Sequence, residues 1–254
     1  MHLPTMPSFR LDGRRALVTG GSRGLGLAAA AALADHGAAV TLVARGESEV
    51  TAAAAAIGQA GGKAEAAVLD VTDQATMAAF IAANGPFQVL FNNAGAIRPA
   101  LAVDTTPADF DAVMAVNTRA AFFVASAVAR GLQATGLPGS IINVSSQMGH
   151  VGAPKRAVYS ASKHALEGMT KAMAWEWGPS GIRVNTICPT FIETPLNRSS
   201  LADPDFRNFV VSNIALGRLG ELAEIMGPVV FLASDASSLV TGSALMVDGG
   251  WTAM

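Results

Sequence analysis

The chain has 254 residues, of which 51% are hydrophobic and 14% are charged, and its formal net charge is −2. No run of Lys or Arg could neutralise a line of phosphates, so nucleic acid is not expected as a partner. The single cysteine, Cys188, excludes an intrachain disulfide, and no Cys/His cluster has metal-ligand spacing, so no metal is expected. Cys188 ends the apolar run 184–188, which favours a core side chain over a reactive thiol.

The sequence also predicts a cytoplasmic protein without a membrane span. The longest apolar stretch, Leu25 to Ala34, is well short of the ~20 residues that cross a bilayer. Residues 1–7 contain neither the basic region nor the apolar core of a secretory signal.

Seven short β-prone runs alternate with segments of helical character along the chain. The runs are 15–19, 39–44, 64–69, 88–91, 140–144, 183–187 and 244–247. This alternation predicts an α/β fold whose parallel sheet is covered by helices on both faces. One domain over 1–254 is expected, with an N-terminal tail over 1–11 and a partly helical substrate flap over 190–220.

Three helices can be placed from local signals. An alanine-rich helix is predicted over 24–36, a long one that starts at a Thr-Pro pair over 107–132, and another over 154–178. Asn117 falls inside the second helix, where asparagine is a mediocre helix former. The residues alone leave open whether Asn117 kinks the helix or takes part in a proton relay.

A glycine-rich turn over 19–26 lies between the first predicted strand and the first predicted helix. Its glycines, Gly20, Gly24 and Gly26, would let the backbone approach a pyrophosphate at the helix N-terminus. Such a motif alone is weak evidence, and the alternative is a tight turn. The second strand at 39–44 completes the strand, helix, strand context that favours a dinucleotide.

The end of the second strand predicts which dinucleotide is bound. An NAD site usually has an acidic residue there, whereas this strand ends in Ala44 and Arg45. Together with Arg23 in the glycine turn, Arg45 could bind a 2′-phosphate through charge-assisted hydrogen bonds. NADP(H) is therefore preferred, and NAD(H) stays open if Arg45 is only a solvated loop cation.

Polar residues also follow the third and fourth strands. Asp70 closes the third strand, where it could accept a hydrogen bond from the adenine amino group, and Asn92, Asn93, Ala94 and Gly95 follow the fourth. Ligands of open parallel sheets bind along this carboxyl edge. The alternative is that the asparagines satisfy local backbone groups in a turn. The small Ala94 and Gly95 favour contact with a cofactor.

Tyr159 and Lys163 lie four residues apart at the start of a predicted helix, so they share one face. A free tyrosine has a pKa of about 10 and needs a neighbouring cation to exchange protons near neutral pH. Lys163 and a nicotinamide ring are expected to lower that pKa. Ser145 and Ser146 end the fifth strand, where a hydroxyl could hydrogen-bond the substrate oxygen.

These motifs together resemble the short-chain dehydrogenase/reductase family. They are Thr19-Gly20-x-x-x-Gly24-x-Gly26, Asn92-Asn-Ala-Gly95, Asn117, Ser146, Tyr159-x-x-x-Lys163 and Asp248-Gly-Gly250. The resemblance covers about residues 10–251. Within the family, the sequence resembles the β-ketoacyl reductases and the gluconate (sugar) dehydrogenases. It implies a single-domain, Rossmann-type, doubly wound fold.

The resemblance implies a role for each catalytic candidate. Ser146, thirteen residues before the tyrosine, would polarise the carbonyl, and Tyr159 would be the general acid or base. Lys163 would hold the nicotinamide ribose and lower the pKa of Tyr159, and Asn117 would hold a water that links Lys163 to solvent. The residues expected to bind the cofactor are Gly20, Ser22, Arg23, Gly24, Leu25, Gly26, Arg45, Asp70, Val71, Asn93, Ala94, Gly95, Tyr159, Lys163, Pro189, Ile192 and Thr194.

One departure from the family pattern affects the expected substrate pocket. Pro189 is followed by Thr190 where the family commonly has glycine, and threonine cannot take every backbone conformation open to glycine. The shape of the nicotinamide-facing stretch 189–194 is therefore left open. The candidate pocket residues are Gln147, Met148, His150, Arg98, Phe191 and Leu196, a set of mixed polarity.

Two functions of different class fit the sequence. The first is an enzyme that transfers a hydride between nicotinamide and a small-molecule carbonyl or secondary alcohol; the second is a catalytically silent nucleotide-sensing protein. The intact tyrosine motif favours the enzyme, since a sensor needs no activated phenol. β-Ketoacyl, sugar or polyol, and cyclic ketone substrates are not separated. Apolar helices over 107–132 and 156–177, together with the resemblance, predict a homotetramer.

Overall fold

The computed structural model describes residues 3–194 and 197–253. Seven strands form one parallel sheet in the order β3-β2-β1-β4-β5-β6-β7. The strands are β1 (Arg15–Thr19), β2 (Ala39–Ala44), β3 (Lys63–Val68), β4 (Val89–Asn92), β5 (Gly139–Val144), β6 (Ile182–Pro189) and β7 (Ala244–Val247). The predicted seven-stranded parallel sheet is confirmed. The predicted bounds of β1, β2 and β7 match the structure, and those of the other four strands differ by one or two residues at an end.

The strand order reverses between β1 and β4, which lie side by side in the middle of the sheet. The connections after these two strands leave in opposite directions, so a crevice opens between them at the carboxyl edge. Thr19 is paired with Asn92 at this edge, which places the glycine turn beside the asparagine motif.

Helices cover both faces of the sheet, as buried strands of a parallel sheet require. They are α1 (Gly24–Asp35), α2 (Glu47–Gln59), α3 (Gln74–Asn84), α4 (Pro107–Met114), α5 (Ala121–Thr135), α6 (Ala157–Trp177), α7 (Arg198–Leu201), α8 (Pro204–Ser212) and α9 (Ala223–Ala233). One core includes Leu33, Val50 and Val229, from α1, α2 and α9. The other includes Met77 and Val128, from α3 and α5.

The helix predicted over 107–132 reaches Thr135 and is interrupted by a π-helical turn at Ala115–Ala120. The whole stretch Pro107–Thr135 is long and apolar enough to cross a membrane by length and composition alone. The sequence-based expectation of no membrane span considered only the stretch 25–34 and did not identify this longer one. Val124, Val128 and Leu132 are at most 2% exposed and pack in the core, so this is a core helix of the fold.

The predicted flap over 190–220 contains α7 and α8 and has a small core of its own. Leu201, Val210, Ile214 and Leu219 form this core, and Phe191 packs against it. Its first residues lie beside the carboxyl edge of the sheet, because they continue directly from β6.

Candidate active site

The glycine turn after β1 has the shape that a pyrophosphate needs. Gly20 and Gly24 have φ angles of +63° and +56°, which favour glycine. A Cβ on Gly26 would overlap the carbonyl oxygen of Gly20, so only glycine lets α1 pack this closely. Arg23 caps α1 without a side-chain hydrogen bond, and no acidic residue lies in the first turn. The residues present therefore fit an anion at the positive end of the helix.

A cleft of about 530 Å³ runs along the carboxyl edge of the sheet from this turn. Most of the residues predicted to bind the cofactor line it: Gly20, Ser22, Arg23, Gly24, Leu25, Arg45, Asp70, Val71, Asn93, Ala94, Gly95 and Thr194. Gly26, Tyr159, Lys163, Pro189 and Ile192 lie outside this lining. The volume and the glycine cradle suit a dinucleotide.

Both cations predicted to bind a 2′-phosphate lie in the cleft, and each is paired with a carboxylate. Arg23 Nη1 lies 3.6 Å from Glu49 Oε1, and Arg45 Nη1 lies 3.9 Å from Asp70 Oδ2. The Arg45 side chain is 81% exposed, so this long ion pair contributes little and is easily exchanged for a phosphate. Glu49 was not predicted from the sequence, because no motif marks it; it lies in the first turn of α2.

Asp70 is held in place by the residues that follow it. Its carboxylate accepts hydrogen bonds from the backbone N–H and the hydroxyl of Thr72. The Thr72 backbone bond is the main cause that keeps the pKa of Asp70 below its ordinary value. The ionised carboxylate lines the cleft, where a contact with the adenine amino group stays a prediction.

The asparagine motif joins β4 to the glycine turn. Asn93 Nδ2 donates to the carbonyl oxygens of Thr19 and Gly20 at 3.0 and 3.1 Å. The Thr19 hydroxyl in turn accepts the backbone N–H groups of Asn93 and Ala94. The Asn93 side chain thus hydrogen-bonds local backbone groups, as the turn interpretation predicted. Ala94 and Gly95, which follow it, line the cleft, and their contact with a cofactor stays a prediction.

Tyr159 and Ser146 meet where α6 begins and β5 ends. Burial raises the pKa of Tyr159 above its ordinary value, while the Ser146 hydroxyl and the positive charge of Arg156 oppose this shift. Ser146 Oγ also donates to Gln147 Oε1 at 3.0 Å and accepts the N–H of Met148. Gln147 is 3% exposed and therefore contacts Ser146, and any contact with substrate stays a prediction.

Arg156 is a residue of this site that the sequence analysis did not name. It is half-buried and is the N-cap residue of α6, immediately before the turn that carries Tyr159. Its charge opposes the rise that burial causes in the pKa of the phenol, and the lowering expected from Lys163 stays a prediction.

Lys163 lies beside the phenol without contacting its hydroxyl. Its Nζ is 5.6 Å from the centre of the Tyr159 ring and donates to the carbonyl oxygen of Val144 at 2.7 Å. Gly95 lines the cleft, and a Cβ built on it would lie 4.0 Å from Lys163 Nζ. The ammonium group is therefore next to the cleft. Burial lowers the pKa of Lys163 to about 8, an effect that the negative charge of Glu167 partly opposes.

The buried ammonium has a measurable cost to stability. A base whose pKa falls on folding destabilises the protein below the folded pKa, and this cost disappears as the pH rises to the unfolded value. The fall from 10.5 to about 8 corresponds to roughly 3 kcal/mol. We expect Lys163→Met to unfold at higher urea concentration than the wild type at pH 7. The advantage should shrink between pH 8 and 10.5, and a pH-independent difference would contradict the assignment.

Asn117 lies in the π-helical turn and links three parts of the site. Its Oδ1 accepts the N–H of Ala96 at 2.7 Å, and its Nδ2 donates to the Ala96 carbonyl and to Ser162 Oγ. The amide thus fixes the loop after β4 against α6. Asn117 lies at an irregular turn of the helix, as one sequence interpretation predicted, and its part in a proton relay stays a prediction.

The stretch after β6 takes its shape from Asn197, which the sequence analysis did not name. Asn197 Oδ1 accepts the Thr194 N–H, and its Nδ2 donates to the Ile192 carbonyl at 2.7 Å. Ile192 is bridged to Gly220. Thr190 has an ordinary negative φ, so its backbone needs no glycine, and its buried hydroxyl has no hydrogen-bond partner among the described residues.

The remaining substrate candidates are dispersed. His150 Nε2 lies 3.4 Å from Glu167 Oε1, next to the catalytic serine loop. Phe191 stacks in the core of the flap, with its ring centre 5.8 Å from that of Phe206 and 5.9 Å from that of Trp251. Arg98 lines the cleft and Met148 is buried. Leu196 lies outside the described residues.

Comparison with known proteins covers nearly the whole chain. A family model described as enoyl-(acyl carrier protein) reductase matches residues 20–252. The gluconate 5-dehydrogenase of Gluconobacter oxydans is 41% identical over 248 residues, 96% of each chain. The D-erythrulose reductase of Gallus gallus is 40% identical over 96% of this chain and 98% of its own.

Solved structures give the same result. A gluconate 5-dehydrogenase from Burkholderia cenocepacia, in complex with NADP and tartrate, superposes with a TM-score of 0.93 at 41% identity and covers 97% of this chain and 98% of its own. A putative 2-deoxy-D-gluconate 3-dehydrogenase from Agrobacterium tumefaciens with bound NADP has a TM-score of 0.93 at 40% identity, over 97% and 99%. The chain therefore belongs to the short-chain dehydrogenase/reductase family and is an NAD(P)-dependent oxidoreductase that acts on CH–OH groups.

Proposed function

We propose that this chain is an NADP(H)-dependent dehydrogenase or reductase of sugars, sugar acids or polyols. The observation that carries the proposal is the meeting of Tyr159, Ser146 and Lys163 at the end of a cleft that contains Arg23 and Arg45. The names of the relatives, which are sugar and polyol dehydrogenases or reductases over nearly the same length, support the substrate class.

The surroundings of the tyrosine favour a hydroxylated substrate. Ser146 and Arg156 place a hydroxyl and a guanidinium group beside the phenol, and Gln147 adds an amide next to Ser146. Polar groups of this kind are left unpaired by an apolar ketone, which disfavours its binding. A chain of hydroxyl groups would satisfy them.

The chemistry divides between the cofactor and the side chains. NADP(H), when bound, supplies or accepts the hydride. In reduction, the Tyr159 hydroxyl gives its proton to the substrate oxygen, and Ser146 turns its hydroxyl from Gln147 to that same oxygen. The ammonium of Lys163 would hold the ribose hydroxyls, and its charge would help Tyr159 to release a proton. In oxidation the steps are reversed, and Tyr159 accepts the proton of the substrate hydroxyl.

We further propose that the protein is a cytoplasmic homotetramer. The free thiol of Cys188 suits a reducing compartment. Phe122 and Phe123 on α5 are 39% and 44% exposed, and Trp175 on α6 is 86% exposed, more apolar surface than a lone subunit usually leaves in water. Light scattering decides this, because a tetramer has about four times the 25.8 kDa mass of the chain.

The substrate class is tested by steady-state kinetics with NADPH. We expect D-erythrulose, L-xylulose or 5-keto-gluconate to give a kcat/KM at least about 100-fold above that of a hydroxyl-free ketone of equal length. The physical reason is that the polar groups around Tyr159 are paired only by the hydroxylated compounds.

A β-ketoacyl thioester is the matched arm for the second candidate activity, which the resemblance of the sequence motifs to β-ketoacyl reductases leaves open. Faster reduction of that thioester than of every keto-sugar would overturn the sugar assignment. Absence of turnover on all of them, with tight NADPH binding, would support the nucleotide-sensing alternative.

A further inference from the structure

The fold brings together three metal-ligating side chains that are far apart in the sequence and that the proposed mechanism does not use. His150 follows the turn after β5, Glu167 lies in the middle of α6, and Cys188 lies on β6. Cys188 is fully buried and the Glu167 side chain is 8% exposed, while the His150 side chain is 31% exposed. The cluster is therefore closed on the protein side and open to solvent through the histidine.

The ligand atoms form a nearly equilateral triangle. Cys188 Sγ lies 3.5 Å from His150 Nε2 and 3.3 Å from Glu167 Oε1, and the latter two atoms are 3.4 Å apart. Tetrahedral zinc with ordinary Zn–N, Zn–O and Zn–S bond lengths places such atoms about 3.3–3.7 Å apart. The triangle has the size of one face of a zinc coordination tetrahedron.

A fourth group points to a ligand at the same place. Ser145 is 2% exposed, and its hydroxyl has no hydrogen-bond partner among the described residues. Its hydroxyl lies beside the Cys188 thiol. A Cβ on Gly149 would lie 2.7 Å from Ser145 Oγ and 3.3 Å from Glu167 Cγ, so glycine lets the loop approach and brings His150 over the cluster.

We propose that His150, Glu167 and Cys188 form a zinc-binding site, with a water or the Ser145 hydroxyl as the fourth ligand. The donor set of one thiolate, one imidazole and one carboxylate selects a borderline-soft ion over Mg²⁺ or Ca²⁺, which prefer oxygen ligands. This departs from the sequence-based expectation of no metal, because ligands 17 to 38 residues apart have no recognisable spacing.

Binding includes one proton transfer. Without metal, the Cys188 thiol donates its proton to Glu167 Oε1 at 3.3 Å. Zinc forms a bond to the sulfur as the S–H bond breaks, and the proton passes to the buffer. No electron is transferred. Glu167 Oε2 keeps its hydrogen bond from Thr186 and orients the carboxylate.

The test uses the full chain after dialysis against a chelator. Titration with Co²⁺ at pH 8 is expected to produce the near-ultraviolet charge-transfer absorption of a cobalt thiolate, saturating at one ion per chain. Zn²⁺ should bleach the band, and Mg²⁺ should have no effect on it. Absence of the band, or of bound zinc by elemental analysis, would leave a purely hydrogen-bonded cluster and overturn the proposal.

The variants locate the ion. His150→Asn should weaken cobalt binding by at least about tenfold, because a ligand is lost at a partly exposed position that folding tolerates. Cys188→Ser should remove the charge-transfer band. His164→Asn is the matched control, since that ring bonds the Ser160 carbonyl and does not contact the cluster. An unchanged affinity in His150→Asn would place the metal elsewhere and refute the site.

Discussion

Replacing Tyr159 with phenylalanine is expected to lower kcat/KM by roughly 10²–10⁴-fold, which is the usual contribution of a positioned general acid or base. The phenol is the only tyrosine in the chain, and it shares its surroundings with Ser146 and Arg156. Phenylalanine keeps the ring and its packing, so the loss would come from the missing proton. Steady-state kinetics in both directions, together with a cofactor titration, measure it, and cofactor binding should change by much less than kcat/KM.

Ser160→Ala is the matched control for this variant. Ser160 is the next residue on α6, is 9% exposed, and its hydroxyl has no hydrogen-bond partner among the described residues. Its removal should therefore leave turnover close to the wild-type value. Comparable turnover in Tyr159→Phe and the wild type would refute the proposed mechanism, and equal losses in both variants would indicate a general disturbance of the helix.

Arg45→Asp is expected to weaken NADPH binding by roughly 10–100-fold, because each hydrogen bond to a charged group contributes about 1.5–3 kcal/mol. Arg45 is loosely paired with Asp70 and highly exposed, so it is available to a 2′-phosphate. The new carboxylate would repel that phosphate while accepting the ribose hydroxyl of NADH. NADH binding should therefore change by much less, as cofactor fluorescence titrations would show.

Glu49→Gln gives the opposite change at the same end of the cleft. Glu49 accepts from the Ser22 hydroxyl and pairs with Arg23, so its charge opposes a bound phosphate. Neutralising it should tighten NADPH binding and leave NADH binding nearly unchanged. If Arg45→Asp weakened the binding of NADPH and NADH equally, Arg45 would have no role in discriminating between the two cofactors.

The sheet was predictable because its signals are local. The run over 15–19 and the run over 39–44 match β1 and β2 residue by residue, since buried parallel strands are short apolar segments bounded by turn residues. The hydrogen-bond partner of Asn117 was not predictable, because it is the backbone of Ala96, which belongs to a different part of the chain. One asparagine in a helix does not reveal its partner.

The site divides in the same way. The glycine turn, Tyr159 and Lys163 follow from spacing within one element, which the sequence displays directly. Glu49 and Arg156 were missed because a charged residue at the start of a helix is usually solvated, and only the fold shows what lies opposite. Phe191 was nominated for the substrate pocket from its apolar character, yet that same character places it in the core of the flap.

The π-helical turn at Ala115–Ala120 also constrains how this gene can change. Such a turn holds one residue more than the α-helical turn it replaces. Losing that residue would restore a regular helix and rotate everything after it by about 100°. Either Asn117 would leave Ala96, or Val124, Val128 and Leu132 would leave the core. Substitutions along this helix keep its register, whereas a single-codon deletion would disrupt either the position of Asn117 or the packing of the core. The length of the helix should therefore be fixed more strictly than its composition.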